Sequence, residues 1–203
     1  MDTDLKALAL VCSLNASPTE SSSELIARQV LDELAGRGVA GDSVRVADYD
    51  VRPGVDDDMG DGDQWPAILE RIRAADVLIL STPTWLGNPS SIAQRVLERL
   101  DAQLSSTDDE GRPAMFGKVA VVAVVGNEDG AHKIVADMFQ GLGDIGFTIP
   151  AQGCTYWNNE AMNPVDYKDL DETPAAVAST ISTLSANATH LARFLRREQY
   201  PAV

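Results

Sequence analysis

The apolar positions of this chain fall into short unbroken runs, separated by longer stretches in which they recur every three or four residues. Leu8-Ala9-Leu10-Val11, Val77-Leu78-Ile79-Leu80 and the seven residues from Val119 to Val125 are wholly apolar, the pattern of strands buried on both faces. Val119 to Val125 is the most apolar run and belongs at the centre of a sheet. Val44 and Val46 mark a further strand ending near Asp48, and Phe147-Thr148-Ile149 begins a fifth, shorter one. Between the runs the period is that of amphipathic helices: Leu25, Ile26, Val30, Leu31 and Leu34; Ile68, Leu69 and Ile72 within Trp65 to Ala75; Ile92, Val96, Leu97 and Leu100; Ile134, Val135, Met138, Phe139 and Leu142; and Val177 through Leu195 in a last helix reaching about Arg196.

Punctuation agrees with this division. Gly36-Arg37-Gly38 stops the first helix, Ser90 or Ser91 caps the third, Gly143 and Gly146 end the fourth, and Thr173-Pro174 opens the last with proline in its first turn. Tyr49 to Gln64 is a loop with five aspartates between Asp56 and Asp63, but the spacing D-x-D-x-D-G of a calcium loop is missing, so a solvated loop is expected. Gln152 to Glu172 is a long irregular stretch rich in Asn and aromatics.

Five strands alternating with five helices imply one α/β domain over residues 1–203, a three-layer sandwich with a parallel sheet between helices. The two common strand orders for such a chain are the flavodoxin order, 2-1-3-4-5, and the dinucleotide-binding order. Both place ligands at the carboxyl ends of the strands, where the order reverses. The unusual loops of this chain follow strands one, three and four, so three loops converge on one crevice.

The first of them, Cys12 to Ser23, carries five serines from Ser13 to Ser23 between a buried strand and a helix start. Free amides and the helix dipole make such a place an anion site, and hydroxyls add donors without charge. Capping the helix and making a polar surface loop are the alternative uses of these serines. The fingerprint G-x-G-x-x-G that a pyrophosphate needs is missing after the first strand, which favours a mononucleotide, and flavin mononucleotide (FMN) fits best.

Charge narrows the field. Asp and Glu number 31 against 16 Lys and Arg, a net of −15, which argues against nucleic acid and against an anionic membrane surface. Screening over about 8 Å keeps that acidity from forbidding a local phosphate site. No run approaches the roughly 18 apolar residues of a bilayer span, and Met1-Asp2-Thr3-Asp4 is acidic where a signal peptide is basic, so a cytoplasmic protein is expected. Cys12 and Cys154 are too few and too far apart for a metal framework and are read as reduced thiols; no metal is expected.

Three motifs in order carry a resemblance: Ser13 with Ser21-Ser22-Ser23 after strand one; Ala75-Asp76, an apolar strand and Pro83-Thr84-Trp85-Leu86-Gly87-Asn88 after strand three; and Gly126-Asn127-Glu128-Asp129-Gly130 after strand four. Over nearly its whole length the chain resembles the flavodoxin-like NAD(P)H-dependent FMN reductases, including the NAD(P)H:quinone oxidoreductases. The resemblance implies that Ser13, Asn15, Ser17, Ser21, Ser22 and Ser23 hold the FMN phosphate. Trp85 and Leu86 then cover the isoalloxazine ring, beside Pro83 and Thr84. Backbone groups of Leu86, Gly87 and Asn88 and of Gly126, Asn127, Glu128, Asp129 and Gly130 donate to its N1, O2 and O4. A core position is the alternative for Trp85. The chain departs from the family in having Cys12 where many members have Gly, and in having no cysteine from Tyr49 to Gln64, which excludes an iron–sulfur centre.

The implied activity is hydride transfer from NAD(P)H to flavin N5 and onward reduction of a quinone, flavin, nitro- or azo-type acceptor, with a homodimer or tetramer completing the open flavin face. No side chain need act as a catalytic base; His132 is the one candidate proton donor, and an ordinary neutral histidine at a helix start is the alternative. Cys154, Tyr156 and Trp157 either roof the substrate pocket or form a surface loop or dimer contact. Arg112 is the candidate for a 2′-phosphate. A flavodoxin-type electron carrier without a small-molecule substrate is the rival reading, since an acidic surface suits basic redox partners. A member that has lost flavin is a third.

Overall fold

The computed structural model describes residues 5–161 and 163–202. Strand β1 (Leu5–Val11) leads to α1 (Ser22–Ala35), β2 (Val39–Arg45), α2 (Trp65–Ala74), β3 (Val77–Trp85), β4 (Asn88–Pro89), α3 (Ser91–Leu100), β5 (Val119–Gly126), α4 (Ala131–Ile145), β6 (Cys154–Asn158) and α5 (Ala175–Arg197). The sheet order is β2-β1-β3-β5-β6, parallel throughout, with the two-residue β4 folded antiparallel onto the end of β3. Counting the five long strands alone, this is the flavodoxin order, and it reverses direction between β1 and β3.

Alternation along the strands divides the core. Leu8, Leu10, Leu78, Leu80, Ala120 and Val122 pack with Trp65, Ile68, Val96, Leu100 and Met138 from α2, α3 and α4. Ala7, Ala9, Val77, Ile79, Val119 and Val121 pack with Ile26, Val30, Leu184 and Ala188 from α1 and α5. Both faces of the central strands are buried, which is why they read as unbroken apolar runs.

The fifth long strand lies later than the sequence pattern suggests. Phe147-Thr148-Ile149 begins the pairing with β5, through Thr148 N–H to Lys118 O at 2.8 Å and Ala120 N–H to Thr148 O at 3.0 Å, but forms only an isolated bridge. Pro150 has no N–H to donate to the ladder. The chain turns at Gln152, whose φ is +52°, and pairing resumes at Val122 N–H to Gly153 O, 3.0 Å. Strand β6 then covers Cys154–Asn158.

Three boundaries also move. Strand β3 continues through Ser81-Thr82-Pro83, paired with Ala123-Val124-Val125, and on to Trp85, so most of the expected loop is strand. Strand β2 starts at Val39 and ends at Arg45, with Val46–Asp48 a 3-10 turn. Pro174 precedes α5 as its cap instead of lying in the first turn.

The acidic loop is only partly solvated. Arg99 on α3 donates to Arg52 O at 2.9 Å and Asp56 O at 2.8 Å, pairs with Asp63 at 2.8 Å, and stands 5.4 Å from the centre of the Trp65 ring. Both charged side chains are fully buried. Among the described residues no group of His, Cys, Asp or Glu could hold a metal ion, and no helix is long and apolar enough to cross a membrane.

Candidate functional site

The loop after β1 folds back onto the start of α1. Ser21 is the N-cap, its hydroxyl accepting from Glu24 N–H at 3.3 Å. That leaves the amides of Ser22 and Ser23 without a partner among the described residues, as is the amide of Leu14. Ser13 is buried; its hydroxyl donates to Asn15 O at 3.2 Å and accepts from Asn15 N–H at 3.3 Å. A cavity of about 160 Å³ opens here, lined by Ser13, Leu14, Asn15 and Glu20 to Ser23 from this loop, Pro83 and Trp85 from β3, Val125 from β5, and Asp166 and Lys168. A volume of that size takes the phosphate end of a mononucleotide and leaves the ring outside.

Ser17 is not part of it. Its amide and hydroxyl both donate to the carboxylate of Asp48, at 2.6 and 2.8 Å, and so turn away from the cavity. Cys12 is wholly buried, and burial pushes its thiol far above the ordinary range, so it is no nucleophile.

Beyond the cavity, β3 ends in a tight turn onto β4. Leu86 and Gly87 both have positive φ, +51° and +70°, the signature of a two-residue hairpin turn of type I′. A leucine there is unusual. The turn holds Trp85 (55% exposed) and Leu86 (89% exposed) out in solvent beside the cavity, while Thr84 is buried with its hydroxyl unpartnered among the described residues. The loop after β5 is fastened to this turn. A Cβ on Gly130 would lie 2.7 Å from Gly87 Cα, and one on Gly126 would lie 2.7 Å from Thr84 Cβ. The Glu128 carboxylate accepts from Leu86 N–H at 2.7 Å, so that amide is already engaged. Asn88 donates to Leu86 O at 2.8 Å and accepts from Lys133 Nζ at 3.0 Å, Asn127 donates to Asp166 at 3.0 Å, and Asp129 is exposed.

His132 lies off the cavity. Its Nε2 is 3.0 Å from the Tyr156 hydroxyl, and the rings meet edge to face at 5.1 Å. Trp157 faces the α1/α5 side, against Tyr167 at 5.4 Å. Arg112 pairs with Asp108 at 2.8 Å and Glu110 at 3.1 Å and does not line the cavity.

Sequence reasoning missed Asp166 and Lys168. They belong to the stretch between β6 and α5, which crosses the start of α1. Tyr167 is buried there with its hydroxyl on Gln29 Oε1 at 2.6 Å, and the Lys168 amide donates to Ser22 Oγ at 3.2 Å. The Lys168 ammonium bonds Asp169 at 2.8 and 2.9 Å, which raises its pKa and keeps it charged. Lys168 is the lone basic residue between Asn159 and Glu172, and that was the available signal. A larger cleft, about 640 Å³, opens between α3 and α4 with Glu98, Asp101 and Asp137 on its walls, and it contains none of the hydroxyl-rich loop.

A parallel sheet in this order, with an amide-rich cavity and exposed apolar side chains at its carboxyl edge, defines a flavodoxin-like protein. Residues 5–163 match the NADPH-dependent FMN reductase family, and the chain belongs to that family of FMN-using oxidoreductases. It is 31% identical over 206 aligned residues to 8-demethyl-8-aminoriboflavin-5′-phosphate synthase of Streptomyces davaonensis, covering 97% of this chain and 80% of that protein. It is likewise similar to the crystal structure of RosB with bound intermediate 8-demethyl-8-formylriboflavin-5′-phosphate, at TM-score 0.87 and 31% identity over 97% of this chain and 82% of that one. A flavodoxin from Archaea matches at TM-score 0.57 and 12% identity, over 92% of this chain and 99% of that one, and shares the fold.

The residues present fit FMN. Amides unpartnered among the described residues at a helix start suit a phosphomonoester, and the flat Trp85 indole beside the Leu86 side chain suits one face of a tricyclic ring.

Proposed function

We propose that this chain passes electrons from NAD(P)H through bound FMN to a quinone, flavin or similar small acceptor. Bound FMN would supply the redox chemistry, taking a hydride from reduced nicotinamide and returning its two electrons to the acceptor with protons that solvent provides. The protein's part is binding and orientation. The Leu14, Ser22 and Ser23 amides grip the phosphate, and Lys168 answers its charge. Trp85 and Leu86 shelter the ring edge, and the Gly87 to Asn88 and Gly126 to Gly130 backbones border its pyrimidine side. Electron transfer needs no protein base. The observation that carries this reading is the adjacency of partnerless amides at the α1 start to two large apolar side chains held in water by the β3–β4 turn.

The assignment of the acceptor is tested by mixing FMN-loaded protein with NADPH or NADH and then with a quinone panel. Bleaching of the flavin within seconds and reoxidation by quinone support the reading. Flavin that stays oxidised, or that reoxidises only with a protein carrier, favours a flavodoxin-type role.

A second reading is favoured by one comparison: the 31% identical synthase is named for a product that is itself a modified riboflavin 5′-phosphate. In that reading the flavin is the substrate altered at its 8-position. Mass analysis of the flavin after turnover separates the two, because a cofactor leaves with its mass unchanged.

A further inference from the structure

We propose that a second anion site lies at the far end of α1 and takes a phosphomonoester other than the flavin. The 14 residues of α1 set about 20 Å between its start, at the flavin phosphate cavity, and its end. At that end a cleft of about 430 Å³ is lined by Arg37, Ala186, Thr189, His190, Arg193 and Arg197. Arg37 follows the last turn of α1. Thr189, Arg193 and Arg197 recur every four residues and so share one face of α5.

The charge there runs against the rest of the molecule. With 31 acidic and 16 basic residues, an arginine in this chain has carboxylates in excess to pair with. Arg193 and Arg197, like Arg28, Arg52 and Arg95, have none among the described residues, but these two share one cleft with Arg37. Each makes one bond to a backbone carbonyl, Arg193 to Arg37 O at 2.8 Å and Arg197 to Arg193 O at 3.2 Å. Carbonyls at helix ends attract cations, but a guanidinium carries five N–H donors, and most remain available. Glu33 is the nearby acid, and it is already bonded by Arg37 at 2.8 Å and by Ser182 Oγ at 3.1 Å.

Two buried polar atoms of the lining have no partner among the described residues: Arg37 Nε and the hydroxyl of Thr189, a residue only 3% exposed. Buried polar atoms are rarely left so, and each calls for an explanation. A ligand rich in acceptor oxygens supplies one, and guanidinium groups bind phosphate oxygens in pairs. Orthophosphate fills little of the cleft, whose volume falls within the roughly 300–1,000 Å³ of small-molecule sites. The ligand class is therefore a phosphate carried on a small organic body, with free phosphate the simpler source of the same group.

Calorimetric titration of the FMN-saturated protein with orthophosphate and with adenosine 5′-monophosphate tests this, in the parent and in the R193Q/R197Q double variant. We expect saturable binding of one anion per chain, weakened about tenfold or more in the double variant as charge-assisted bonds are lost, and weakened again by Thr189→Val. FMN affinity and far-ultraviolet circular dichroism stay unchanged in all variants. Tighter binding of the nucleotide points to an organic ester and tighter binding of orthophosphate to the free ion; either result supports the site. Absence of saturable binding, or binding equal in the double variant, overturns it. So does altered self-association of the double variant without anion binding in the parent, which assigns these arginines to a contact between chains. Should FMN itself fail to bind, dependence on Arg193 and Arg197 still identifies this cleft, so the two proposals fail separately.

Discussion

The Glu128 carboxylate accepts a 2.7 Å hydrogen bond from the amide of Leu86, and this one bond ties the loop after β5 to the turn after β3. It also places an acidic group among the backbone donors expected to face the flavin pyrimidine. Negative charge there opposes the anionic reduced flavin. Glu128→Gln keeps the hydrogen bond and removes the charge. For a charge in a partly solvated loop, an effective dielectric of about 20 and solvent screening leave about 1 kcal/mol. The midpoint potential of bound FMN is expected to rise by about 20 mV for the two-electron couple. Spectroelectrochemical titration of parent and variant reads the shift, and an unchanged or lower potential argues that Glu128 does not face the ring.

Gly130 serves the same junction by its lack of a side chain. Its φ is +122°, and a Cβ would sit 2.7 Å from Gly87 Cα. Gly130→Ala is expected to destabilise the fold by about 1–3 kcal/mol and to weaken FMN binding by parting the two loops. Denaturant unfolding and FMN titration measure the two effects; full FMN affinity in a destabilised variant breaks the proposed link.

Asp63 and Arg99 give the acid limb of stability a definite sign. Burial by itself raises the Asp63 carboxyl, but the Arg99 guanidinium and the amides of Met59, Arg52 and Trp65 outweigh it and hold the pKa well below the usual range. A carboxylate with a depressed folded pKa adds stability above its unfolded value, near 3.9, and that contribution disappears as pH falls further. Asp63→Asn leaves Arg99 buried without its counter-charge, at a cost of about 3–5 kcal/mol. The variant is expected to melt lower at pH 7 and to lose less on going to pH 3 than the parent does. Thermal melts at both pH values check this.

Lys168 lines the cavity proposed for the phosphate, with its ammonium on Asp169. Lys168→Gln is expected to reduce the preference for FMN over riboflavin about tenfold at low salt, with a smaller effect as salt rises. Lys168→Arg retains the preference. Paired titrations with the two flavins read it directly, and an unchanged ratio in Lys168→Gln removes the residue from the phosphate site.

How much of this could be read from the chain depended on how local each signal is. Strand β5 was legible to within a residue because both its faces are buried and nothing polar interrupts Val119 to Val125. Strand β6 was not: Cys154 to Asn158 alternates buried and exposed positions at the sheet edge, and Pro150 breaks a pairing that starts at Thr148. The serines show the same limit at the site. Ser22 and Ser23 were correctly placed at a helix start, whereas Ser17 is claimed by Asp48, 31 positions away, which no local pattern announces. Lys168 reaches the cavity only because Tyr167 is anchored on Gln29, 138 positions away. The Leu86 amide looked free in sequence and is engaged by a carboxylate 42 positions on.

The central claim is a single phosphomonoester gripped at the α1 start with its flat ring beside Trp85. Equilibrium titration with FMN and with riboflavin, followed by quenching of flavin fluorescence, tests it most directly. The account predicts one FMN per chain, much weaker binding of riboflavin, and loss of quenching in Trp85→Ala. Equal binding of the two flavins, or no saturable binding of FMN, contradicts it.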